Sequence, residues 1–347
     1  MNQQRDLLAS RLPVSLITGF LGSGKTTLIS QLVRHPDMNK VAVIINEVGE
    51  IGIDHDLVSM SNENISLLAN GCICCSVRTD LQDTLRDLFA QRRSGLIPEF
   101  DRVMIETTGL ADPAPVIQTL MSDTLIGAQF RLDGMISLID AFHGLNLLKN
   151  ESVANKQIAM ADCVVITKTD LVSSEQLGEL QQAIVQLQPM SKILFSLNGN
   201  AQPNDLINLG LNSSRVNNNT LYFLGEDLNQ LSSDGERYLG KKQALHDSSI
   251  ATLSLRFETP FQWQAFSSAM ELLSQLRGPD LLRVKGIVNV DGKPIVVQGV
   301  QHIFHPPVEL DRWPSDDHDT RLVFISRNIE VTAIKNLFSA VGAVVAH

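Results

Sequence analysis

Short, near-continuous runs of aliphatic and β-branched residues recur over the first two hundred positions, at Val14 to Ile17, Val41 to Ile45, Val103 to Ile105, Met135 to Ile139, Val164 to Ile166 and Ile193 to Phe195. Such runs read as strands buried on both faces. Between them the apolar spacing becomes helical: Leu81, Leu85, Leu88 and Phe89 share one face of Leu81 to Arg92, and Ser174 to Leu187 repeats the pattern. Strands alternating with helices predict right-handed βαβ units, hence a parallel sheet covered by helices on both faces. Residues 1–205 are expected to form this α/β domain.

From Asn198 to about Ser249 the pattern gives way to Asn, Ser, Gly, Gln and Asp, so 206–248 reads as a polar linker with a weak strand at Leu221-Tyr-Phe-Leu. Then Ile250 to Phe257 alternates as a half-buried strand, and Gln262 to Leu276 has helical periodicity. Leu281 to Val290 and Lys293 to Val300 flank Asp291-Gly292 as a hairpin, and a strand at Leu322 to Ser326 and a helix at Ala333 to Val341 follow. Residues 249–347 are expected to be a smaller α+β domain without a catalytic motif.

Composition supports two domains. At about 150 residues per domain, a chain of 347 holds two, and 44% hydrophobic with 5% aromatic residues fits an aliphatic α/β protein better than a β-sandwich. A net charge of −10 disfavours nonspecific binding to nucleic acid or to an anionic membrane. The first residues carry no signal-peptide core, and no apolar stretch reaches the roughly 18 residues a membrane span needs. A soluble, cytoplasmic protein is expected. Cys72, Cys74 and Cys75 crowd into four positions, unlike a disulfide framework, and Cys163 sits in an apolar run as a small buried residue.

Chemistry enters at Gly19-Phe-Leu-Gly-Ser-Gly-Lys-Thr, the G-x-x-x-x-G-K-T phosphate loop between a buried strand and a helix. Gly19, Gly22, Ser23 and Gly24 shape a turn whose N–H groups cradle a β-phosphate beside the positive end of the helix that Lys25, Thr26 and Thr27 begin. Lys25 reaches the β- and γ-phosphates, and the Thr26 hydroxyl serves Mg2+. The strand ending in Glu106 supplies the acid such a site needs for the Mg2+ shell, and Gly109 a backbone N–H for the γ-phosphate. Val164-Val-Ile-Thr-Lys-Thr-Asp170 is one step from the guanine-reading Asn-Lys-x-Asp. Asp170 would accept from the ring N–H and the exocyclic amine of guanine, neither of which adenine offers. The Lys168 stem lies over the base with its ammonium solvated, and Thr167 replaces the usual Asn with fewer contacts.

Asn70-Gly-Cys72-Ile-Cys74-Cys75 puts three thiolates at i, i+2 and i+3, which repel unless a cation is bound; sulfur favours Zn2+, Cu(I) or, with open coordination, Co2+. Only half of a structural zinc knuckle pair is present, which argues for an open or transient site with a further ligand from elsewhere or water. The cysteines lie between Lys25 and Glu106 in chain order, just after Asn46-Glu47-Val-Gly-Glu50-Ile-Gly-Ile-Asp54, an acidic segment where a switch loop would sit. Metal and γ-phosphate would then act on adjacent segments.

These residues resemble the CobW family of P-loop GTPases, within it the YjiA-type members. The resemblance rests on Gly19-Phe-Leu-Gly-Ser-Gly-Lys-Thr-Thr, Asn46-Glu-Val-Gly-Glu, Gly71-Cys-Ile-Cys-Cys, Glu106-Thr-Thr-Gly-Leu-Ala-Asp-Pro, Thr167-Lys-Thr-Asp, Leu282-Arg-Val-Lys-Gly and Gln298-Gly-Val-Gln. It implies a slow GTPase that acts as a metallochaperone or metal-homeostasis factor, binds Zn2+ or a related metal through Cys72, Cys74 and Cys75, and serves a client metalloprotein or cofactor-pathway protein. A homo-oligomer is compatible with it. Two departures stand out: His246, His302, His305 and His318 are scattered rather than clustered, and Ile45 occupies a position where YjiA-like relatives carry a metal-binding glutamate, leaving Glu50. His143 reads as a residue supporting the site. The rival readings are a nonenzymatic nucleotide switch with structural zinc and a protein-docking carboxy-terminal domain, and a small-molecule kinase, which gives the cysteines no role.

Overall fold

The computed structural model describes residues 6, 8–46, 58–62, 65–68, 73–76, 80–217, 220 and 250–344, with 46, 58–62, 65–68, 74–76, 122 and 342–344 described by backbone alone. The chain divides into two compact units, one of Ser10–Ile184 with Ser191–Gly210, the other of Met1–Ala9, Val185–Met190 and Leu211–His347.

In chain order the first unit's elements are β1 (Leu12–Gly19), α1 (Lys25–Arg34), β2 (Val41–Asn46), β3 (Val58–Asn62), β4 (Ile65–Leu68), β5 (Ile73–Ser76), α2 (Leu81–Ser94), β6 (Arg102–Thr107), α3 (Ala114–Ser122) and α4 (Thr124–Gln129). They continue with β7 (Phe130–Asp140), α5 (Gly144–Asn150), α6 (Ser152–Ala159), β8 (Cys163–Thr167), α7 (Ser174–Leu187), β9 (Lys192–Ser196) and α8 (Pro203–Leu206). The strands form one sheet in the order β3-β4-β5-β2-β6-β1-β7-β8-β9. From β5 to β9 every pairing is parallel, and β3 and β4 add an antiparallel edge.

Burial on both faces explains the apolar runs. Ile17, Val43, Met104, Leu138 and Val165 join Leu28, Ile29, Leu32 and Val33 of α1 in one core, while the alternate positions Leu16, Ile44, Ile105, Ile139 and Val164 are also buried. The chain leaves β1 toward β2, returns through β6, and crosses to β7 on the other side. Loops at the carboxyl ends of β1, β6 and β7 therefore surround a topological switch point, where parallel α/β sheets bind ligands.

Two expectations need correction. The region after Asn198 is not linker throughout: α8 forms, and Leu206 and Leu209 enter the core with Ile17 and Leu28. The buried Asp133 carboxylate, paired with Arg102 and Arg131, accepts the Asn208 N–H at 2.8 Å and ties this polar-looking segment down. The periodicity also missed β3, β4 and β5, which are too short to stand out. The weak strand proposed at Leu221 lies outside the described residues.

The second unit contains β10 (Ile250–Phe257), α9 (Trp263–Arg277), β11 (Leu281–Val290), β12 (Lys293–Val300), the short β13 (Ile303–Phe304) and β14 (Val308–Glu309), β15 (Thr320–Arg327) and α10 (Val331–Val344). The antiparallel sheet runs β10-β15-β11-β12-β13, with β14 also on β12. Phe266, Met270 and Leu273 of α9 pack with Ile334 and Phe338 of α10 against Leu253, Val284, Val288 and Phe324. On the other face Ile287, Val296 and Val323 pack with Leu211 and Leu310, and Leu8, Met190 and Trp313 lie against them. The β11–β12 hairpin pairs Val290 with Lys293, with Asp291 and Gly292 at positive φ in the turn, as the sequence predicts.

Candidate functional site

The loop between β1 and α1 turns through Gly22 at φ 73° and Gly24 at φ 94°, left-handed values that a Cβ would strain. Gly24 is the N-cap of α1, no side chain caps that end, and the first helical turn holds no acid. A helix end of this kind, with the positive pole of its dipole behind it, is a setting that receives an anion. Ser23 is buried, donates its N–H to the Phe20 carbonyl at 3.1 Å, and accepts the Thr167 hydroxyl on its own carbonyl at 2.8 Å. Lys25, 6% exposed, bonds the carbonyls of Gly19 at 3.1 Å and Phe20 at 3.5 Å, so its ammonium folds back over the loop. Thr27 is exposed on the same turn.

Sheet register brings the second strand end to this loop. Ile17 of β1 pairs with Glu106 of β6, and the Thr26 hydroxyl donates to Glu106 Oε1 at 2.8 Å. Glu106 is 1% exposed. A hydroxyl and a buried carboxylate in contact are hard oxygen donors of the kind Mg2+ takes, so Thr26 and Glu106 fit that ion. Three residues on, Gly109 lies so close to the phosphate loop that a Cβ there would be 2.6 Å from the Leu21 nitrogen. Thr107 reinforces the junction by donating to the Thr18 hydroxyl at 2.9 Å.

At the other side of β1, Gly19 pairs with Leu138, Asp140 with Thr167, and Thr167 with Ser196, so the ends of β7, β8 and β9 form a terrace beside the phosphate loop. Lys168, at φ 54°, leads the turn that carries the exposed Asp170. Its ammonium is paired with Asp140 while the side chain stays 39% exposed. Asp140, 3% exposed, also accepts the N–H groups of Phe142 at 2.7 Å and His143 at 3.1 Å, and faces His143 Nδ1 at 3.2 Å. Burial opposes ionisation of this carboxyl, but the Lys168 ammonium and the N–H donors outweigh it and hold it below its ordinary value. Thr167 donates its hydroxyl to the Ser23 carbonyl at 2.8 Å and so braces the phosphate loop. The sequence reading did not single out Asp140 as the partner of Lys168, or the loop after β9, where Gly199 abuts the Thr27 carbonyl. An acid ending β7, three residues before His143, was the available signal for the first.

Of the thiolate cluster, Cys74 and Cys75 have backbone in β5, paired with Val43 and Ile44 of β2. Cys72, Glu47, Glu50 and the side chains of Cys74 and Cys75 lie outside the described residues. Cys163 is fully buried, and burial pushes its thiol up to about 12, so it stays protonated and is no ligand. Among the described residues no group of three or more His, Cys, Asp or Glu is arranged to hold a metal.

Comparison with known proteins closes the question of kinship. The family model for the CobW/HypB/UreG nucleotide-binding domain matches residues 13–195, more than half the chain. The chain belongs to the CobW/HypB/UreG family. The CobW carboxy-terminal domain model matches residues 250–342 of this CobW-family protein. Zinc chaperone YjiA of Escherichia coli is 32% identical over 94% of this chain and 98% of its own length. A zinc-regulated GTPase metalloprotein activator of Schizosaccharomyces pombe is 29% identical over 92% and 83%. The crystal structure of Zn(II)-bound YjiA GTPase from E. coli superposes with a TM-score of 0.76 at 30% identity, covering 95% of this chain and 99% of that one. A Zn(II)-bound triple mutant of that GTPase, with one Glu and two Cys changed to Ala, superposes at 0.74. The P-loop fold followed by an antiparallel carboxy-terminal domain is therefore that of a CobW-family GTPase.

Proposed function

We propose that this GTPase is a metallochaperone that binds Zn2+, or a related ion such as Co2+, through Cys72, Cys74 and Cys75 with Glu50, and passes it to a client metalloprotein as GTP is hydrolysed. Gly19 and Gly22 to Thr27 hold the phosphates; Thr26 and Glu106 hold Mg2+, which would screen charge developing on the γ-phosphate; Gly109 contacts the γ-phosphate, Glu47 belongs to the adjoining switch segment, and Lys168 with Asp170 reads guanine. Thr167 supports the phosphate loop. The work is cytoplasmic, with no nucleic acid or membrane partner, and residues 249–347 belong to its carboxy-terminal domain.

One observation carries the metal reading. Ser76, Ile45 and Glu106 lie in one register row across β5, β2 and β6, with Cys75 the residue before Ser76. Neighbouring strands are about 4.8 Å apart, so the cysteine strand runs roughly 10 Å from the strand that supplies the Mg2+ acid. A change in that acid's surroundings is thus two strands from the backbone that carries Cys74 and Cys75, close enough for nucleotide and metal to share one deformable element. The names of the relatives, zinc chaperone and zinc-regulated GTPase metalloprotein activator, support the same cargo.

The test is Zn2+ affinity of the chain with Cys72, Cys74 and Cys75 all replaced by Ser, measured by competition with a chromophoric chelator, alongside GTP affinity. Zinc binding should weaken by at least about a hundredfold, since losing even a group that only orients a metal ligand costs up to about that much, while GTP binding stays near normal. Affinity must be the readout rather than occupancy in a crystal, because a zinc-bound structure exists for the relative's variant lacking two cysteines. Unchanged affinity would remove the cysteines from the metal site.

A further inference from the structure

The loop after β6 is held from behind by two consecutive side chains of α6. Gln157, 1% exposed, donates its amide nitrogen to the carbonyls of Gly109 at 3.2 Å and Ala111 at 3.1 Å. Both partners only accept, so chemistry dictates which end of the amide faces them. The preceding residue, Lys156, pairs its ammonium with Asp112. On the opposite flank Gly109 is pressed against the phosphate loop at Leu21. The loop is thus a thin layer between the phosphate loop and Gln157.

Peptide planarity gives this clamp a direction. In a trans peptide the N–H points opposite to the C=O, so drawing the Gly109 and Ala111 carbonyls toward α6 turns the N–H groups of Leu110 and Asp112 away from it. The Leu110 N–H meets the Thr108 hydroxyl at 3.4 Å, and the Gly109 N–H, in the preceding peptide, is held through the anchored Gly109 backbone. The other end of the Gln157 side chain, Oε1, is buried and makes no hydrogen bond among the described residues. A thioether of the same length would fill this space without burying that oxygen, so what the glutamine supplies here is its two donated bonds to the loop.

We propose that Gln157 is a positioning residue for GTP hydrolysis, which anchors the Gly109–Asp112 backbone and thereby holds the Gly109 N–H in place for the γ-phosphate. This rests on the reading of Gly109 as the γ-phosphate contact. Gln157 touches neither nucleotide nor metal; it acts through two carbonyls. A nucleoside diphosphate has no γ-phosphate and should be indifferent to it.

The experiment compares the full-length chain with Gln157→Met, Gln157→Glu and Gly109→Ala, by the ratio of affinity for a nonhydrolysable GTP analogue to that for GDP, and by kcat. Gln157→Met keeps length and removes both donors; ionised Glu keeps shape and cannot donate. Each should lower the analogue-to-GDP ratio and kcat about tenfold, the cost of two ordinary hydrogen bonds, with GDP affinity unchanged within about twofold. Gly109→Ala should lower the same ratio. An unchanged ratio in Gly109→Ala removes the Gly109 reading and the proposal with it. A lowered ratio there with an unchanged one in whichever Gln157 variant folds overturns the proposal alone, as does an equal loss of GDP and analogue binding, the mark of a merely structural role.

Discussion

Glu106 is 1% exposed and bonded to Thr26, so exchanging its charge for an amide tests its chemistry without changing its shape. Glu106→Gln should cut kcat by on the order of a hundredfold in Mg2+ while the melting temperature holds; phosphate release assays give the first number and calorimetry the second. Asp140 makes a pH prediction. Its carboxyl is depressed, because its ion pair and N–H donors overcome burial, so the stability it adds is complete above the ordinary carboxylate range and is lost as pH falls through the lower folded value. Stability should therefore hold from neutral pH down to about 4 and decline below it. Asp140→Asn should flatten that acid limb and weaken GTP binding at pH 7 about tenfold by releasing Lys168; urea unfolding against pH, with a GTP titration, checks both. Cys163, protonated to about pH 12, should resist alkylation in the native protein at pH 8 and react once unfolded, which mass spectrometry of the labelled chain will read.

At the scale of elements, the unit with the phosphate loop depends on strand ends that only pairing brings together. Val14, Leu16, Ile105 and Ile166 announce themselves as buried strands because both faces of a parallel sheet are covered. Their order across the sheet is a property of long-range contacts that no local spacing encodes. The same is true of Asp133, whose partners Arg102, Arg131 and Asn208 are spread over a hundred positions. A composition rich in Asn and Ser hid the core role of Leu206 and Leu209. Asp133→Ala would remove the carboxylate that pairs with two buried guanidinium groups and should cost about 3–5 kcal/mol in urea unfolding. A loss under about 1 kcal/mol, the worth of an exposed pair, would show the cluster is solvated.

For the whole molecule the decisive question is whether nucleotide and metal bias each other. If they do, GTP analogue must raise Zn2+ affinity by the same factor by which Zn2+ raises analogue affinity, since linkage is reciprocal; calorimetric titrations in both orders measure the two factors. Removing metal with a chelator should leave the melting temperature nearly unchanged for carried cargo, whereas a structural zinc would take folding energy with it. The sequence by itself determined the phosphate loop, the strand ending in Glu106 and the Thr-Lys-Thr-Asp turn, because each is written in contiguous residues whose geometry is local, whereas the two compact units are each assembled from separate stretches of chain. Only the tertiary structure decided that Thr26 bonds Glu106, that Asp140 holds Lys168, that Thr167 braces Ser23, and that Gln157 clamps the loop after β6. Those contacts join residues far apart in the chain, and strand order with register, not sequence distance, sets which of them meet.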